Sequence, residues 1–219
     1  AYEIRNCDWS SDVWSSDLAA SPLAGWRMLP EGCRVMWLGH ASVLVEMDGL
    51  RVLIDPVFWS SGGLMRRAVP APLSVEALPE IDAVLLTHGH MDSASLKALD
   101  ERFGDRLTWM VPRGLDTVLP PRATRVEALG WWEGLTLGAV RFTLVPAQHW
   151  HQRGPLDHNA ALWGSWVIEG SRRIFNSGYT GYVDMYRLVR RVFGDFDLDR
   201  KSTRLNSSHS SVSRMPSSA

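Results

Sequence analysis

The sequence has little cysteine, no excess of one charge and no long apolar run, and each absence excludes a class of protein. Its 219 residues include only Cys7 and Cys33, which excludes a disulfide framework and a thiolate zinc site. A net charge of -1 provides no basic field, so we expect no nucleic-acid partner. Apolar runs such as 83–86 are too short to cross a bilayer, so the sequence predicts no transmembrane segment and a cytoplasmic location.

The middle of the chain has the composition of one globular domain, but its two ends do not. Residues 1–18 and 199–219 lack hydrophobic periodicity, and both resemble translated sequencing adapter rather than disordered tails. The adapter codons for residues 199–209, when reverse-complemented, encode residues 7–17 with one exception, a relation that unrelated tails would not show. We therefore expect one domain over residues 19–198, incomplete at its C-terminal end, between flanks that are not native.

Hydrophobic periodicity predicts a mixed α/β (α+β) fold in which helices pack on sheets. Residues 34–58 alternate apolar and polar positions around an Asp48-Gly49 turn, which predicts adjacent antiparallel strands. A buried strand is predicted to deliver His88 at its C-terminal edge. Further strands are predicted at 106–112, 139–145, 161–168 and 173–175, and helices at 95–103 and 182–193.

His88, His90 and Asp92 stand at alternate positions directly after that buried strand. Imidazole nitrogen and carboxylate oxygen together suit zinc, iron or manganese. Alternate positions in an extended turn let the two histidines reach one ion while Asp92 points toward a neighbouring one. His149 follows another predicted strand and can supply a third imidazole; the alternative is a polar residue at a strand end.

The other histidines of the middle region have weaker claims as metal ligands. We expect His151 and His158 to face solvent. His40 is compatible with a structural role, with support of a ligand imidazole and with direct metal binding. We assign His40 to the residues that support the ligands.

Several collinear motifs between residues 35 and 198 resemble those of the metallo-β-lactamase superfamily. They are WLGHASVLVE, LIDPVF, THGHMD, GWWE, VPAQHW, HNAALWGSWVIEG and RIFNSGYTGY. The chain is similar to the branch that holds N-acyl-phosphatidylethanolamine-hydrolysing phospholipase D and the ascorbate-6-phosphate lactonases. This resemblance implies an αββα sandwich with one or two metals between its sheets, and hydrolysis of a phosphodiester or ester by metal-bound hydroxide.

The resemblance also implies roles for individual residues. His88, His90 and His149 match the three histidines of the first metal. Asp92 matches a ligand of the second metal and would orient or deprotonate the reacting water. Asp55 matches a carboxylate that orients a ligand imidazole.

Two departures from the family pattern concern the second metal. A His-Leu-Asp triplet or its equivalent is missing after Asp92, and Tyr179 replaces the Asp that bridges both metals. We therefore expect one zinc ion, with iron or manganese as alternatives, no well-formed second site and impaired hydrolysis. One alternative is a catalytically silent homologue that binds a metal or ligand. Another is a sequence with assembly errors at these positions.

The expected substrate is a small-molecule or lipid-like ester or phosphodiester. Arg153 could pair with its phosphate, because a guanidinium binds phosphate through two parallel hydrogen bonds. Trp163, together with Trp150, could line an apolar pocket for an acyl chain. For both tryptophans, core packing is the favoured interpretation.

Overall fold

The computed structural model describes residues 27–28, 32–58, 71–91, 93–181 and 183–200, and within them the strands form a seven-stranded and a five-stranded sheet. In chain order the elements are β1 (Arg27–Met28), β2 (Arg34–Trp37), β3 (Val43–Met47), β4 (Leu50–Ile54), β5 (Ala83–Leu85), α1 (Ser93–Phe103), β6 (Thr108–Pro112), β7 (Arg125–Leu129), β8 (Gly134–Leu137), β9 (Val140–Val145), β10 (Ser165–Glu169), β11 (Arg173–Asn176), α2 (Met185–Phe193) and β12 (Leu198–Arg200). Short 3-10 helices, Gly104–Arg106 and Leu115–Val118, follow α1 and β6.

The first sheet contains strands β1 to β7 side by side in chain order. Neighbouring strands are antiparallel from β1 to β4 and parallel from β4 to β7. The second sheet has the order β12-β11-β10-β9-β8 and is antiparallel except for the β11–β12 pair. Parallel neighbours need crossover connections, and α1 lies in the crossover between β5 and β6.

Alternation along the strands gives the first sheet two apolar faces. On β3, Val43 and Val45 belong to a core that is shared with the second sheet. Leu44 points to the opposite face, where it belongs to the same cluster as Leu96 and Leu99 of α1. Helix α1 therefore covers the outer face of this sheet.

The second sheet repeats this arrangement. On β10, Trp166 and Ile168 join the core shared with the first sheet. Val167 faces the other way, in a cluster with Phe175 of β11 and Val189 of α2. The layers are therefore helix, sheet, sheet and helix, which confirms the predicted αββα sandwich.

Most predicted elements are present, and the differences lie at their ends and at sheet edges. The Asp48-Gly49 turn joins β3 to antiparallel β4, as predicted. Strand β10 and helix α2 each begin a few residues later than predicted. Strands β7 and β8 were not predicted, because their side chains are mostly exposed or half-buried and show little alternation. Across the described residues, no helix has the length and apolarity needed to span a membrane.

Strand β12 includes Asp199 and Arg200, which resemble translated adapter. Asp199 pairs with Phe175 and Arg200 with Asn176 in parallel register. Ladder hydrogen bonds use backbone groups, so pairing at this sheet edge does not require particular side chains. The sheet therefore extends past the expected domain boundary at residue 198.

The loops that carry the predicted site residues meet at one edge of the sandwich. Because β4 and β5 are parallel, Asp55 and His88 follow strand ends at the same edge of the first sheet. Because β9 and β11 are both antiparallel to β10, His149 and Tyr179 follow strand ends at a common edge of the second sheet. The rings of His88 and His149 lie 4.8 Å apart between centroids, so these two edges adjoin.

Candidate metal centre

Three imidazoles from two loops converge where the sheet edges adjoin. His88 and His90 follow β5, and His149 follows β9. Each offers a ligand nitrogen, and these nitrogens all lie within 4.8 Å of one another. His88 and His149 are buried, whereas His90 is exposed. The structure thus brings together the three histidines that the sequence predicts for one ion.

The His90 imidazole is oriented by the loop that carries His149. Its Nε2 lies 3.0 Å from the carbonyl oxygen of Gln152, which can only accept a hydrogen bond, so in the neutral form of the ring the proton is on Nε2 and Nδ1 carries the lone pair. This Nδ1 lies 3.3 Å from Nε2 of His149. Two imidazole ligands of a tetrahedral zinc, with bonds of about 2.0–2.1 Å, are separated by roughly the same distance.

The His88 imidazole is oriented through a hydroxyl group. The fully buried carboxylate of Asp55 accepts hydrogen bonds from the backbone N–H and the hydroxyl of Thr87, at 2.8 and 2.6 Å. Thr87 Oγ1 lies 2.8 Å from Nδ1 of His88. When Asp55 is ionised it can only accept, so Thr87 donates to Asp55 and accepts from the Nδ1–H of His88. Nε2 of His88 is then left for a metal, and Asp55 acts on it only through Thr87.

Burial sets the protonation of both ends of this network. It raises the pKa of the Asp55 carboxyl from 3.8 to about 6, although both hydrogen bonds from Thr87 act in the opposite direction. Burial, together with the neighbouring His149 and His90, holds the pKa of His88 well below its usual 6.5. His88 is therefore neutral at pH 7, which is the form that binds a metal.

Beside the three imidazoles lies a phenol paired with a fourth histidine. The ring of Tyr179 is centred 4.8 Å from that of His88 and 6.2 Å from that of His149. Its hydroxyl lies 2.9 Å from Nε2 of His40, which is exposed. The phenol lies on the side of the site where the family resemblance predicts a bridging carboxylate. Asp92, the other predicted second-metal ligand, lies outside the described residues.

The predicted substrate-binding residues make contacts within the protein. Trp163 is 2% exposed, and its indole N–H donates to the carbonyl of Ala147 at 2.9 Å. It therefore packs in the core, the favoured interpretation for this residue. The guanidinium of Arg153 donates to the carbonyls of Gly89 and Met91 and to the Ser93 hydroxyl. Arg153 thus contacts the loop that carries His90.

The expectation that His151 faces solvent is wrong, because this residue is only 3% exposed. It packs directly against Gly89, where any β-carbon would overlap the imidazole. His158 is exposed, as expected, and stacks on Trp150 with ring centroids 6.5 Å apart. Trp150 is centred 4.6 Å from the ring of His90, so it contributes an aromatic wall beside the three histidines.

The donor set fits a metal ion. Three imidazoles bring ligand nitrogens within 4.8 Å of one another, and the remaining nitrogens of His88 and His90 are held by Thr87 and Gln152. Such outer partners are characteristic of histidine metal ligands. Neither partner was predicted from the sequence, where the Thr that precedes the His-Gly-His motif is the one local signal.

The fold and this site define the class of protein. Residues 50–199 match the family described as beta-lactamase superfamily domain, so the chain belongs to the metallo-β-lactamase superfamily, as its motifs predict. It is 31% identical over 186 residues to N-acyl-phosphatidylethanolamine-hydrolyzing phospholipase D 1 of Caenorhabditis elegans, a match that covers 76% of this chain and 52% of that protein. The chain thus spans about half the length of this relative.

Solved structures show the same fold in proteins of different chemistry. Igni18, a metallo hydrolase from Ignicoccus hospitalis, has a TM-score of 0.57 at 18% identity, covering 73% of this chain and 66% of its own. CmlA, a diiron beta-hydroxylase from Streptomyces venezuelae, has a TM-score of 0.57 at 24% identity, covering 79% of this chain and 35% of its own. The fold therefore sets neither the metal nor the reaction.

Proposed function

We propose that this chain is the metal-binding domain of a hydrolase that acts on a phosphodiester or ester, with one metal held by His88, His90 and His149. The observation that carries the proposal is the convergence of three imidazole nitrogens within 4.8 Å. The C. elegans relative, named for hydrolysis of N-acyl-phosphatidylethanolamine, supports a lipid-like substrate. Three imidazoles suit zinc, with iron and manganese as alternatives. The cytoplasmic location stays a prediction from the sequence.

The ion and the protein would make different contributions to hydrolysis. A divalent ion would supply Lewis acidity toward a substrate oxygen and toward water. The chain's own groups orient the ligands: Thr87 holds the Nδ1 proton of His88, and the Gln152 carbonyl holds the Nε2 proton of His90. Trp150 offers aromatic surface for the apolar part of a lipid-like substrate. We assign Asp92 the role of the base that orients or deprotonates water.

We further propose that hydrolysis by this chain is impaired. Tyr179 lies beside His88 and is bonded to His40. A phenol with a reference pKa of about 10 is a poor substitute for a bridging carboxylate at neutral pH. A missing second metal would weaken charge stabilisation in the transition state more than it would weaken substrate binding. The same phenol–imidazole pair favours the alternative function, a catalytically silent homologue that binds a metal or a ligand.

Metal analysis combined with a hydrolysis assay tests these proposals. We expect the purified chain to hold one zinc per molecule and to hydrolyse bis(p-nitrophenyl) phosphate slowly, and we expect Tyr179→Asp to raise turnover. A chain that binds no zinc, iron or manganese contradicts the proposed site. Two metals per chain with fast turnover contradict the impairment. One metal without turnover in either protein favours the silent homologue.

A further inference from the structure

The segment that follows His149 forms a turn that is closed by its own side chains. The Asp157 carboxylate accepts from the backbone N–H groups of Arg153 and Gly154, at 3.0 and 2.8 Å. The backbone N–H of Asn159 donates to the carbonyl of His151 at 2.7 Å. We call residues 151–159 the Arg153 turn. These internal bonds involve none of the three metal-site histidines.

The Arg153 turn binds the backbone on both sides of His90. Nη1 of Arg153 donates to the carbonyls of Gly89 and Met91, the residues directly before and after His90. Nη2 donates to the hydroxyl of Ser93 at 2.8 Å, at the beginning of α1. A planar guanidinium can reach these acceptors together, whereas the single ammonium of lysine cannot reproduce the fork.

The same turn also fixes the imidazole of His90. The carbonyl of Gln152 lies 3.0 Å from Nε2 of His90, and the buried ring of His151 packs against Gly89. Three consecutive residues of the turn therefore hold the side chain and the flanking backbone of one ligand. His88 differs, because it is buried and is held by Thr87 within its own segment.

We propose that Arg153 is a positioning residue for metal binding, which holds the backbone of Gly89 and Met91 so that His90 presents Nδ1 to the ion. This inference rests on the metal site proposed above and replaces substrate phosphate as the principal partner of Arg153. The exposed ligand needs such support, since an unsupported loop would sample positions in which Nδ1 is turned away from His149. Loss of outer partners of metal ligands typically weakens metal affinity by about 10–100-fold.

Zinc affinity and cobalt spectra of Arg153 variants test this role. We expect Arg153→Ala to weaken zinc binding by about 10–100-fold in a competitive chelator titration, and Arg153→Lys to restore only part of it. The visible absorption of the Co²⁺-loaded protein, which reports ligand number and geometry, should change in Arg153→Ala. Arg187→Ala is the matched control, because this exposed arginine of α2 forms a 3.7 Å ion pair with exposed Asp184 on the same helix end. It should bind both metals as the parent does.

The outcomes separate this inference from the proposed function. If the parent binds neither zinc nor Co²⁺, the proposed metal site fails. If the parent binds zinc and Arg153→Ala has the same affinity and the same cobalt spectrum, the positioning role is overturned. A raised KM for bis(p-nitrophenyl) phosphate with unchanged zinc affinity would instead identify Arg153 as a substrate ligand. If metal-free Arg153→Ala does not unfold cooperatively, Ser93→Ala is tested instead, because it removes one hydrogen bond of the Arg153 guanidinium. A smaller loss of zinc affinity in Ser93→Ala supports the positioning role of Arg153, and unchanged zinc affinity overturns it.

Discussion

The two halves of the site are built from similar residues but organised for different partners. In the half formed by His88, His90 and His149, ligand nitrogens face one another, and the outer nitrogens of His88 and His90 are hydrogen-bonded within the protein. In the other half, the hydroxyl of Tyr179 and the imidazole of exposed His40 bind each other at 2.9 Å. In the first half, nitrogen lone pairs can bind a cation. In the second half, the phenol hydroxyl and the imidazole form a hydrogen bond with each other. Histidine content alone therefore does not define a metal site; the partners of the outer nitrogens do.

The largest expected effect is the loss of metal from the first half. His88→Gln removes one of three ligands, so its zinc affinity should fall by more than the roughly 10–100-fold typical of outer partners. His40→Gln, in the second half, should retain the zinc content of the parent. Elemental analysis after gel filtration in buffer without metal measures both. Equal loss of zinc from the two variants would show that both halves of the site bind the ion, which would contradict the difference proposed between them.

The next effect concerns the buried carboxylate behind His88. In the metal-free protein, the folded-state pKa of Asp55 is raised from 3.8 to about 6. Between pH 3.8 and about pH 6, the Asp55 carboxyl is ionised in the unfolded chain but protonated in the folded chain. The contribution of Asp55 to the free energy of unfolding is therefore lost as pH rises through this range. A shift of this size corresponds to about 3 kcal/mol, present below pH 4 and gone above pH 6. Asp55→Asn should abolish this loss, because an amide does not titrate.

Urea unfolding of the metal-free parent and Asp55→Asn, at several pH values from 4 to 7, measures this difference. Subtracting the two curves removes the titration of His88 and of surface groups common to both proteins. Asn also tolerates the positive φ of 45° at this position, so the substitution adds little backbone strain. Parallel curves for the two proteins would mean that Asp55 titrates equally in the folded and unfolded chains.

The sequence predicts those parts of the fold and site that depend on local pattern. Alternation on β3 and β4 predicts the hairpin and the two faces of the first sheet, because one side chain in two must be buried on each face. The histidines were predicted from their positions at strand ends, where loops from neighbouring strands meet. Strands β7 and β8 lack this pattern, since they lie at the far edges of the two sheets, where few side chains are buried.

The contacts that orient the ligands could not be predicted, because they join distant positions. Asp55 and Thr87 are 32 residues apart, and Arg153 and Met91 are 62 residues apart. Neither pair has a spacing that points to a contact, and each forms only when the loops converge. His151 was misassigned for the same reason: its burial follows from the missing side chain at Gly89 on another loop. The sequence pattern thus predicts the candidate ligands, whereas tertiary packing determines their orientation.

A smaller effect is expected from filling the space at Gly89, between two ligands of the first half. A β-carbon there would overlap the ring of His151, which is buried and has little room to move. Gly89→Ala should cost about 1–3 kcal/mol of unfolding free energy, typical of overpacking, and should weaken zinc binding by displacing His90. Gly154→Ala is the control, since its β-carbon would have ordinary contacts, the nearest at 3.8 Å. Equal stability of both variants in urea would show that the packing of His151 is not tight.

The smallest effect should come from the second half. Tyr179→Phe removes the 2.9 Å hydrogen bond to His40, a histidine that is itself exposed. Because water can replace this partner, the loss of unfolding free energy should be about 0.5 kcal/mol, at the low end for a neutral hydrogen bond. Zinc content should not change, since the ring stays beside His88 and no nitrogen ligand is removed. A large drop in zinc content would instead identify the phenol oxygen as a ligand, and the second half would then belong to the metal site.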